Sequence, residues 1–169
     1  MNRAPALAIA EQCRAALVPY CDRIEIAGSI RRRKPQVKDI ELVAIPRRIP
    51  TGLFGDELVT DPRFCAVVNQ WPAIKGRPEG KYTQRQLPDG ILLDLFRANV
   101  DNWGLIFAIR TGSAAFSHHV LATGWVRAGY RSVDGRLRQP DGSIIPICEE
   151  HDLFEILGIP WVDPEAREV

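Results

Sequence analysis

The first regular spacing of apolar residues predicts a helix that covers a sheet. Ile9, Cys13 and Leu17 recur every four residues within 4–18, so they share one face of an amphipathic helix. Pro19 marks the end of this helix, because proline cannot continue one. We expect the apolar face of the helix to pack on the strands that follow it.

The remaining chain alternates short strands and short helices between turns rich in Gly, Pro and Asp. The predicted strands cover 23–27, about 38 to 46, two runs within 71–87, and 91–96. The predicted helices cover 61–71, 102–109, 113–127 and 149–157, and a loop is predicted at 47–50. After 130, turns at 134–135 and 141–142 predict a small antiparallel sheet. Together these elements predict the α+β class.

Two carboxylates lie two positions apart on the second predicted strand. Asp39 and Glu41 project from one face of it, while Ile40 and Leu42 point into the core. Two neighbouring acids repel each other and are costly to bury without partners. A divalent cation such as Mg²⁺ relieves this repulsion, because hard cations take carboxylate oxygens. The alternative is an ordinary solvated strand edge.

A third acid, Asp94, is the one charged residue within the predicted strand 91–96. An unpaired buried carboxylate is costly, so Asp94 needs a partner. If its strand lies beside the strand of Asp39 and Glu41, the three acids form a triad. The alternative is a simple ion pair between Asp94 and an arginine.

The turn between the first two strands has features that suit an anion. Gly28-Ser29 opens a short helical turn, whose N–H groups and positive dipole end favour a phosphate. The basic run 31–34 adds fixed positive charge. Taken singly, such a turn and such a run are usually a plain turn and a solvated face. In combination with the acid pair, they match what a metal-bound nucleoside triphosphate requires.

The spacing of Gly28-Ser29 and Asp39-Ile40-Glu41, about ten positions apart, resembles the signature of polymerase-beta-type nucleotidyltransferases. The adjacent arginines make the string most similar to family X DNA polymerases. The resemblance implies that Ser29 and Arg32 hold the triphosphate. It also implies that Asp39, Glu41 and Asp94 are the catalytic residues and hold two Mg²⁺ ions, with Mn²⁺ as an alternative.

Two positions depart from the family pattern. Lys38 stands where the family usually has Gly, and it places a cation beside the nucleotide site. Glu41 replaces the more common second Asp, and a glutamate can still bind a metal ion.

A second string, Thr111-Gly112-Ser113 followed by Phe116, resembles the turn from the family's palm into its thumb, whose backbone packs against the incoming sugar. The implied nucleotide-binding residues are Gly28, Ser29, Arg32, Lys38, Arg110, Thr111, Gly112, Ser113, Phe116 and Ser117. Ile109-Arg110 replaces the family's aromatic pair, which predicts weak discrimination between sugars.

The helix after this turn is expected to place Phe116, Val120 and Gly124 on one face. The family's base-contacting Asn falls at Ser117, or at His118 if the helix is offset by one residue. The family's template-contacting Arg falls at Leu121 or Ala122. These replacements predict low fidelity.

The C-terminal region adds a pattern that the wider nucleotidyltransferase group lacks. Residues 150–161 and the string Pro164-Glu165-Ala166-Arg167 resemble the terminus of family X polymerases. This pattern favours a polymerase over other nucleotidyltransferases.

Three residues are candidates for contact with nucleic acid. Lys81 and Arg85 belong to an alternating strand that suits an exposed sheet surface, although a merely solvated hairpin is the alternative. His118 is the third candidate. His118 and His119 are expected to point apart on a helix, which makes them a poor metal pair.

The composition is typical of a soluble globular protein, and the net charge alone does not indicate binding to nucleic acid. The chain has 169 residues, 46% hydrophobic and 25% charged, with a net charge of +1, as in ordinary soluble domains. No apolar run approaches the roughly 20 residues that cross a bilayer. The four cysteines (Cys13, Cys21, Cys65 and Cys148) have no zinc-like spacing, and we expect reduced thiols in a cytoplasmic bacterial or viral protein.

The resemblance implies a nucleotidyltransferase palm with a mixed sheet over 1–110 and a small α+β thumb over 111–169. We expect a minimal form, because only 22 residues precede the first predicted strand, too few for the lyase and helix-hairpin-helix domains of larger members. The implied activity is addition of dNMP from dNTP to the primer of a primer/template or gapped DNA, by a monomer acting in short-gap repair. The alternatives are a transferase using an RNA end, a protein or a small molecule, a template-independent terminal transferase, or a catalytically silent nucleic-acid-binding module.

Overall fold

The computed structural model describes residues 1–52 and 55–168. The chain divides into two compact units by its internal contacts. The first unit comprises Met1–Ile26 and Pro35–Arg97, and the second comprises Ala27–Lys34 and the chain from Ala98 onward. These units divide the chain at other points than 110/111, so the palm and thumb bounds of 1–110 and 111–169 stay predictions.

The described residues form seven α-helical and ten β elements. The helices are α1 (Arg3–Leu17), α2 (Gly28–Arg31), α3 (Pro62–Val68), α4 (Trp103–Thr111), α5 (Ala114–Phe116), α6 (Thr123–Arg127) and α7 (Glu150–Leu157). The strands are β1 (Cys21–Ile26), β2 (Asp39–Pro46), β3 (Arg48–Thr51), β4 (Glu57–Thr60), β5 (Ala73–Lys75), β6 (Tyr82–Gln86), β7 (Leu92–Arg97), β8 (Arg131–Val133), β9 (Arg136–Arg138) and β10 (Ile144–Ile145). A π-helical segment, Ser117–Ala122, connects α5 to α6.

The first unit is built on a five-stranded sheet in the order β1-β2-β7-β6-β5. β2 and β7 are parallel, whereas the other neighbouring strands are antiparallel, so the sheet is mixed as predicted. The predicted loop at 47–50 is wrong. Arg48 pairs with Thr60 and Pro50 with Leu58, so the segment forms a strand of the separate β3–β4 hairpin.

Helix α1 covers the sheet as the apolar spacing predicts. It contacts β1 and β2, and it buries Ala6, Ala10, Cys13 and Leu17. Ile9, expected on this face, is only half-buried. Ala6, Ala10 and Leu17 are fully buried on this face.

The second unit has its own apolar core and a three-stranded sheet in the order β10-β9-β8, which confirms the small antiparallel sheet. Helix α4 packs on α7, and the core includes Leu105, Leu121, Leu153 and Phe154. The contact between the helices depends on Gly104, because a Cβ there would collide with the main-chain carbonyl of Glu149.

The helix after Ser113 begins as predicted but contains a π-helical segment. The Ser113 hydroxyl accepts a hydrogen bond from the Phe116 N–H at 3.0 Å, which is the expected N-cap. Phe116 and Leu121, five residues apart, are both buried in the core. Val120, which the sequence places on one face with Phe116 and Gly124, is half-buried and packs against this core, as predicted. The π-helical bonding pattern joins residues five apart, and Leu121 beside Val120 is also buried.

Two expectations about the whole chain can be compared with the structure. All four cysteines are free thiols, and Cys13, Cys21 and Cys65 are buried, as expected for reduced cysteines. Within 1–52 and 55–168, no helix has the length and apolar character needed to cross a membrane.

Candidate functional site

The three predicted acids lie on one face of the first unit's sheet. β2 and β7 are parallel neighbours, and Glu41 is the register partner of Asp94. Asp39 and Glu41 are half-buried, whereas Ile40 and Leu42 between them are fully buried. Side chains alternate along a strand and register partners point to the same side, so the acids share a face opposite to the helix-covered one. The condition for a triad, that the strand of Asp94 lies beside the strand of Asp39 and Glu41, is therefore met.

Asp94 is buried and has two hydrogen-bond partners on the neighbouring strand. The Tyr82 hydroxyl donates to Asp94 Oδ1 at 2.7 Å, and Gln84 Nε2 donates to the same oxygen at 2.8 Å. The sequence indicated that this carboxylate needs a partner and left an arginine as one option. The partners seen are a phenol and an amide, which satisfy the carboxylate without neutralising it.

A metal site is not assembled by these side chains. Among residues 1–52 and 55–168, no group of three or more His, Cys, Asp or Glu side chains is arranged to hold a metal ion. The strands are nevertheless about 4.8 Å apart, which is within the reach of side-chain rotation. Carboxylate oxygens are also the donors that Mg²⁺ prefers. The donor set therefore fits the metal, while ligation by Asp39, Glu41 and Asp94 stays a prediction.

Ser29, the predicted phosphate ligand, has a buried hydroxyl in the second unit. Its Oγ has no hydrogen-bond partner among the described residues. A buried hydroxyl without a partner loses its hydrogen bonds to water, which is unfavourable. Gly28 before it has φ of 60°, a left-handed conformation that glycine adopts without strain. This turn therefore places an unsatisfied polar atom at the position where the sequence predicts an anion.

Arg32 and Lys34 already hold an oxyanion, the carboxylate of Glu168. Arg32 Nε lies 2.8 Å from Glu168 Oε1, and Lys34 Nζ lies 3.2 Å from Oε2. Burial raises the pKa of the Glu168 carboxyl, but the hydrogen bonds and charges of the two cations outweigh it and lower that pKa. A carboxylate and a phosphate offer similar anionic oxygens, so this contact shows that the pair can bind an oxyanion.

Arg31, one position before, forms a different contact. Its guanidinium makes a bidentate pair with Glu150, with Nη1–Oε1 at 2.9 Å and Nη2–Oε2 at 2.6 Å. It also donates to the Thr111 hydroxyl at 2.6 Å and lies 3.9 Å from the centroid of the Phe107 ring. Arg31 therefore connects α2 to α4 and α7. Sequence analysis missed this role, since the partners are 119 positions apart along the chain.

Arg167 shares the same glutamate from the C-terminal side. Its guanidinium is fully buried, forms a short ion pair with Glu150 and donates from Nε to the Val162 carbonyl at 2.9 Å. The guanidinium also lies 4.7 Å from the Trp161 ring. Glu150 and Arg167 both belong to the C-terminal pattern that resembles family X polymerases. Their opposite charges within that pattern could have suggested the ion pair.

The Thr111-Gly112-Ser113 turn follows α4 directly. Thr111 is fully buried, and its carbonyl accepts a hydrogen bond from Arg32 Nη1 at 2.6 Å. A Cβ on Gly112 would lie 2.7 Å from the buried Phe116 ring, so a side chain at this position would force that ring to shift. Phe116 itself is 1% exposed and belongs to the core, so its assignment to nucleotide binding is corrected.

The other nucleotide-binding candidates divide by exposure. Arg110 and Ser117 are half-buried, and the Ser117 hydroxyl donates to the Ile109 carbonyl at 2.9 Å. Lys38 is exposed and lies immediately before β2, next to Asp39. Their roles toward a nucleotide stay predictions.

Arg85 does not lie on an exposed surface, and this prediction is wrong. Its side chain is 3% exposed and donates to the Thr83 hydroxyl at 3.1 Å. β6 turns Thr83 and Arg85 toward the covered face of the sheet, and burial lowers the pKa of the Arg85 guanidinium. Lys81 is exposed at the edge of the strand and stays a candidate for nucleic-acid contact.

The two neighbouring histidines do not point apart, which corrects another prediction. His118 and His119 are both exposed, and their Nδ1 atoms are 3.5 Å apart. They lie in the π-helical segment, where more residues make up each turn and successive side chains are closer in angle. His118 stays a candidate for nucleic-acid contact.

The C-terminal region is similar to a known family. Residues 107–168 match the family model described as DNA polymerase beta thumb. Comparison with curated proteins gives no match. The matched region includes the Gly112-Ser113 turn, α7 and Arg167, whereas the acid face of the sheet lies outside it. The match supports a relationship of this chain with polymerase-beta-like proteins of family X.

Proposed function

We propose that this chain is a DNA polymerase of the family X type, which adds dNMP from a dNTP to a primer 3′-hydroxyl and releases pyrophosphate. The observation that carries the proposal is the match of residues 107–168 to the polymerase beta thumb. The acid face of the mixed sheet supports it, since Glu41 and Asp94 are register partners on parallel strands. We further propose gapped or primed DNA as the partner and short-gap repair as the setting.

Asp39, Glu41 and Asp94 would hold two Mg²⁺ ions, or Mn²⁺ in their place. When bound, the ions would lower the pKa of the attacking hydroxyl and stabilise the negative charge of the leaving group. In the same step the 3′-oxygen bonds to the α-phosphorus, and the bond from that phosphorus to pyrophosphate breaks. Asp94 accepts or orients the proton of the 3′-hydroxyl.

Ser29 and Arg32 would bind the β- and γ-phosphates. The unpartnered hydroxyl of Ser29 supports this assignment. The carboxylate of Glu168 on Arg32 and Lys34 also supports it, and it adds Lys34 to the predicted set. Fixed cations of this kind neutralise charge as it develops on the phosphates.

Lys81 and His118 would contact the DNA. Both side chains are exposed, and a cation or a histidine on the surface can contact the phosphate backbone or stack on a base. Ile109-Arg110 in place of an aromatic pair supports weak selection of the sugar. The family's template-contacting Arg falls at Leu121 or Ala122, and neither side chain carries a group that can donate to a template, which supports low fidelity.

Primer extension tests the proposal. Gapped and single-stranded primers are incubated with Mg²⁺ and each dNTP or NTP, and the rates are compared for the parent protein, Asp39→Asn and Asp94→Asn. We expect both variants to lose about 10²-fold or more of the rate. Asp89→Asn, a change at an exposed turn acid near β7, is the matched control and should extend at the parent rate.

Equal rates for the parent and the two triad variants would overturn the proposal. Labelled nucleotides offered with RNA, protein and small-molecule acceptors extend the test. Transfer to one of these acceptors and not to a DNA primer would also reject a DNA polymerase.

A further inference from the structure

Both hydrogen bonds to Asp94 come from neighbouring positions on β6. Gln84 is the register partner of Asp94 across the β6–β7 pair. Tyr82 pairs with Phe96, two residues further along β7, and its ring stacks on that of Phe96 with the centroids 5.0 Å apart. The stack fixes the direction of the Tyr82 hydroxyl, and the strand register fixes Gln84. Tyr82 is therefore held by a ring contact that does not involve Asp94, whereas Gln84 is held opposite Asp94 by the pairing of the two strands.

The two donors bind the same oxygen, and this has a chemical consequence. A carboxylate oxygen has about two lone-pair sites. The Tyr82 hydroxyl at 2.7 Å and the Gln84 amide at 2.8 Å occupy both sites of Oδ1. Oδ2 is then the oxygen of Asp94 that can bind a metal ion or take a proton. Because both donors are neutral, the full negative charge of the carboxylate is kept.

We propose that Tyr82 and Gln84 are positioning residues, which orient the Asp94 carboxylate so that Oδ2 serves the reaction. The inference rests on the proposed function, since it assigns Asp94 to the reacting centre. Partners that orient a metal-binding side chain typically change metal affinity or activity by about 10- to 100-fold when they are removed. An arginine in their place would hold the carboxylate as firmly but would cancel the charge that attracts a cation.

Tyr82→Phe and Gln84→Leu test the inference. Tyr82→Phe removes one hydroxyl and keeps the ring stack on Phe96. Gln86→Leu is the matched control, because Gln86 lies on the same strand two positions further, is exposed and pairs with Leu92. Urea unfolding of each variant shows whether the fold is intact.

Two measurements are made on each variant. In primer extension with Mg²⁺, kcat should fall about 10-fold for either variant, while KM for the dNTP changes less than about 2-fold, since the phosphate-binding residues are untouched. Binding of Mn²⁺ alone, followed by electron paramagnetic resonance without DNA or nucleotide, should weaken by a similar factor. The Gln86→Leu control should match the parent in both.

Each outcome decides the inference. It is overturned if Tyr82→Phe and Gln84→Leu keep the kcat and Mn²⁺ affinity of the control. It is also overturned if either variant becomes faster, because the donors would then restrain Asp94. Asp94→Asn separates this inference from the proposed function: an inactive Asp94→Asn with normal Tyr82 and Gln84 variants rejects only the positioning role. A fully active Asp94→Asn rejects the role of Asp94 itself.

Discussion

Replacing Glu150 by alanine should destabilise the second unit severely. Glu150 is the shared counterion of Arg31 and Arg167, and it is 6% exposed. After the change, Arg31 can turn toward solvent because its side chain is 22% exposed. Arg167 cannot turn toward solvent in this way, because its side chain is fully buried. Its Nη2 already has no hydrogen-bond partner among the described residues.

The expected loss follows from that stranded charge. Removing one partner of a buried ion pair costs about 3–5 kcal/mol, because the other charge stays buried without compensation. The matched control is Glu165→Ala, which removes the exposed ion pair with Arg33, whose side chains are 52% and 67% exposed. An exposed pair of this kind contributes about 0–1 kcal/mol. The two glutamate variants should therefore differ clearly.

Urea unfolding followed by circular dichroism and tryptophan fluorescence measures the free energy of unfolding. The reasoning would be refuted if Glu150→Ala lost less than about 1 kcal/mol, as expected for Glu165→Ala. Glu150→Gln separates charge from packing, because glutamine nearly keeps the volume of glutamate and removes the negative charge.

The pH dependence gives a second measurement on the same residue. Burial raises the pKa of the Glu150 carboxyl, but the hydrogen bonds and charges of Arg31 and Arg167 outweigh it, so that this pKa is lowered. A lowered folded-state pKa means that the stabilisation is present above the unfolded value of about 4.3 and is lost as the pH falls through the folded value. The stability difference between the parent and Glu150→Gln should therefore shrink below about pH 4. A difference that stays constant down to pH 2 would contradict the assignment.

Three further predictions concern single sites. Glu168→Gln should tighten dNTP binding, measured by titration calorimetry, because the Glu168 carboxylate competes with phosphate for Arg32 and Lys34. A partly exposed ion pair contributes about 0–1 kcal/mol, so the gain should be at most about five-fold, and weaker binding would contradict the prediction. Gly104→Ala should lower the free energy of unfolding by about 1–3 kcal/mol or more, because the added Cβ collides with a main-chain carbonyl, and unchanged stability in urea would refute this. A thiol reagent at pH 8 should label exposed Cys148 quickly and spare Cys13 and Cys21, whose burial raises their pKa values to about 11 and about 12, and equal labelling would contradict it.

Parts of the sheet could be predicted where the alternation of polar and apolar side chains allows only one face of a strand to be buried. Asp39 and Glu41 alternate with apolar neighbours, so only one face can be buried. Asp94 is the one charged residue in the apolar run 91–96. Its side chain therefore has to point to a polar surface or to a polar partner on a neighbouring strand. These local facts show which side of each strand is polar, but they left open whether the two strands are adjacent, which the parallel pairing of β2 and β7 answers.

Other features depend on information that the local pattern does not contain. β6 has polar residues on both faces, so alternation alone could not show that Arg85 faces inward and Gln84 faces Asp94. The ion pair between Arg31 and Glu150 joins residues far apart along the chain, and its geometry depends on how α2, α4 and α7 pack. The family match strengthens the C-terminal part of the interpretation, and the acid face depends on the strand register alone.

The π-helical segment Ser117–Ala122 affects how this chain is aligned with its relatives. A π-helical segment bonds residues five apart, so each of its turns holds more residues than an α-helical turn. If positions after Ser113 are assigned with α-helical spacing, the residue assigned to a given place on the helix is therefore wrong by about one position beyond Ser117. An equivalence drawn by count assigns a surface role to Leu121, which lies in the interior. Superposition of coordinates, and not residue counting, is the sound basis for transferring roles in this helix.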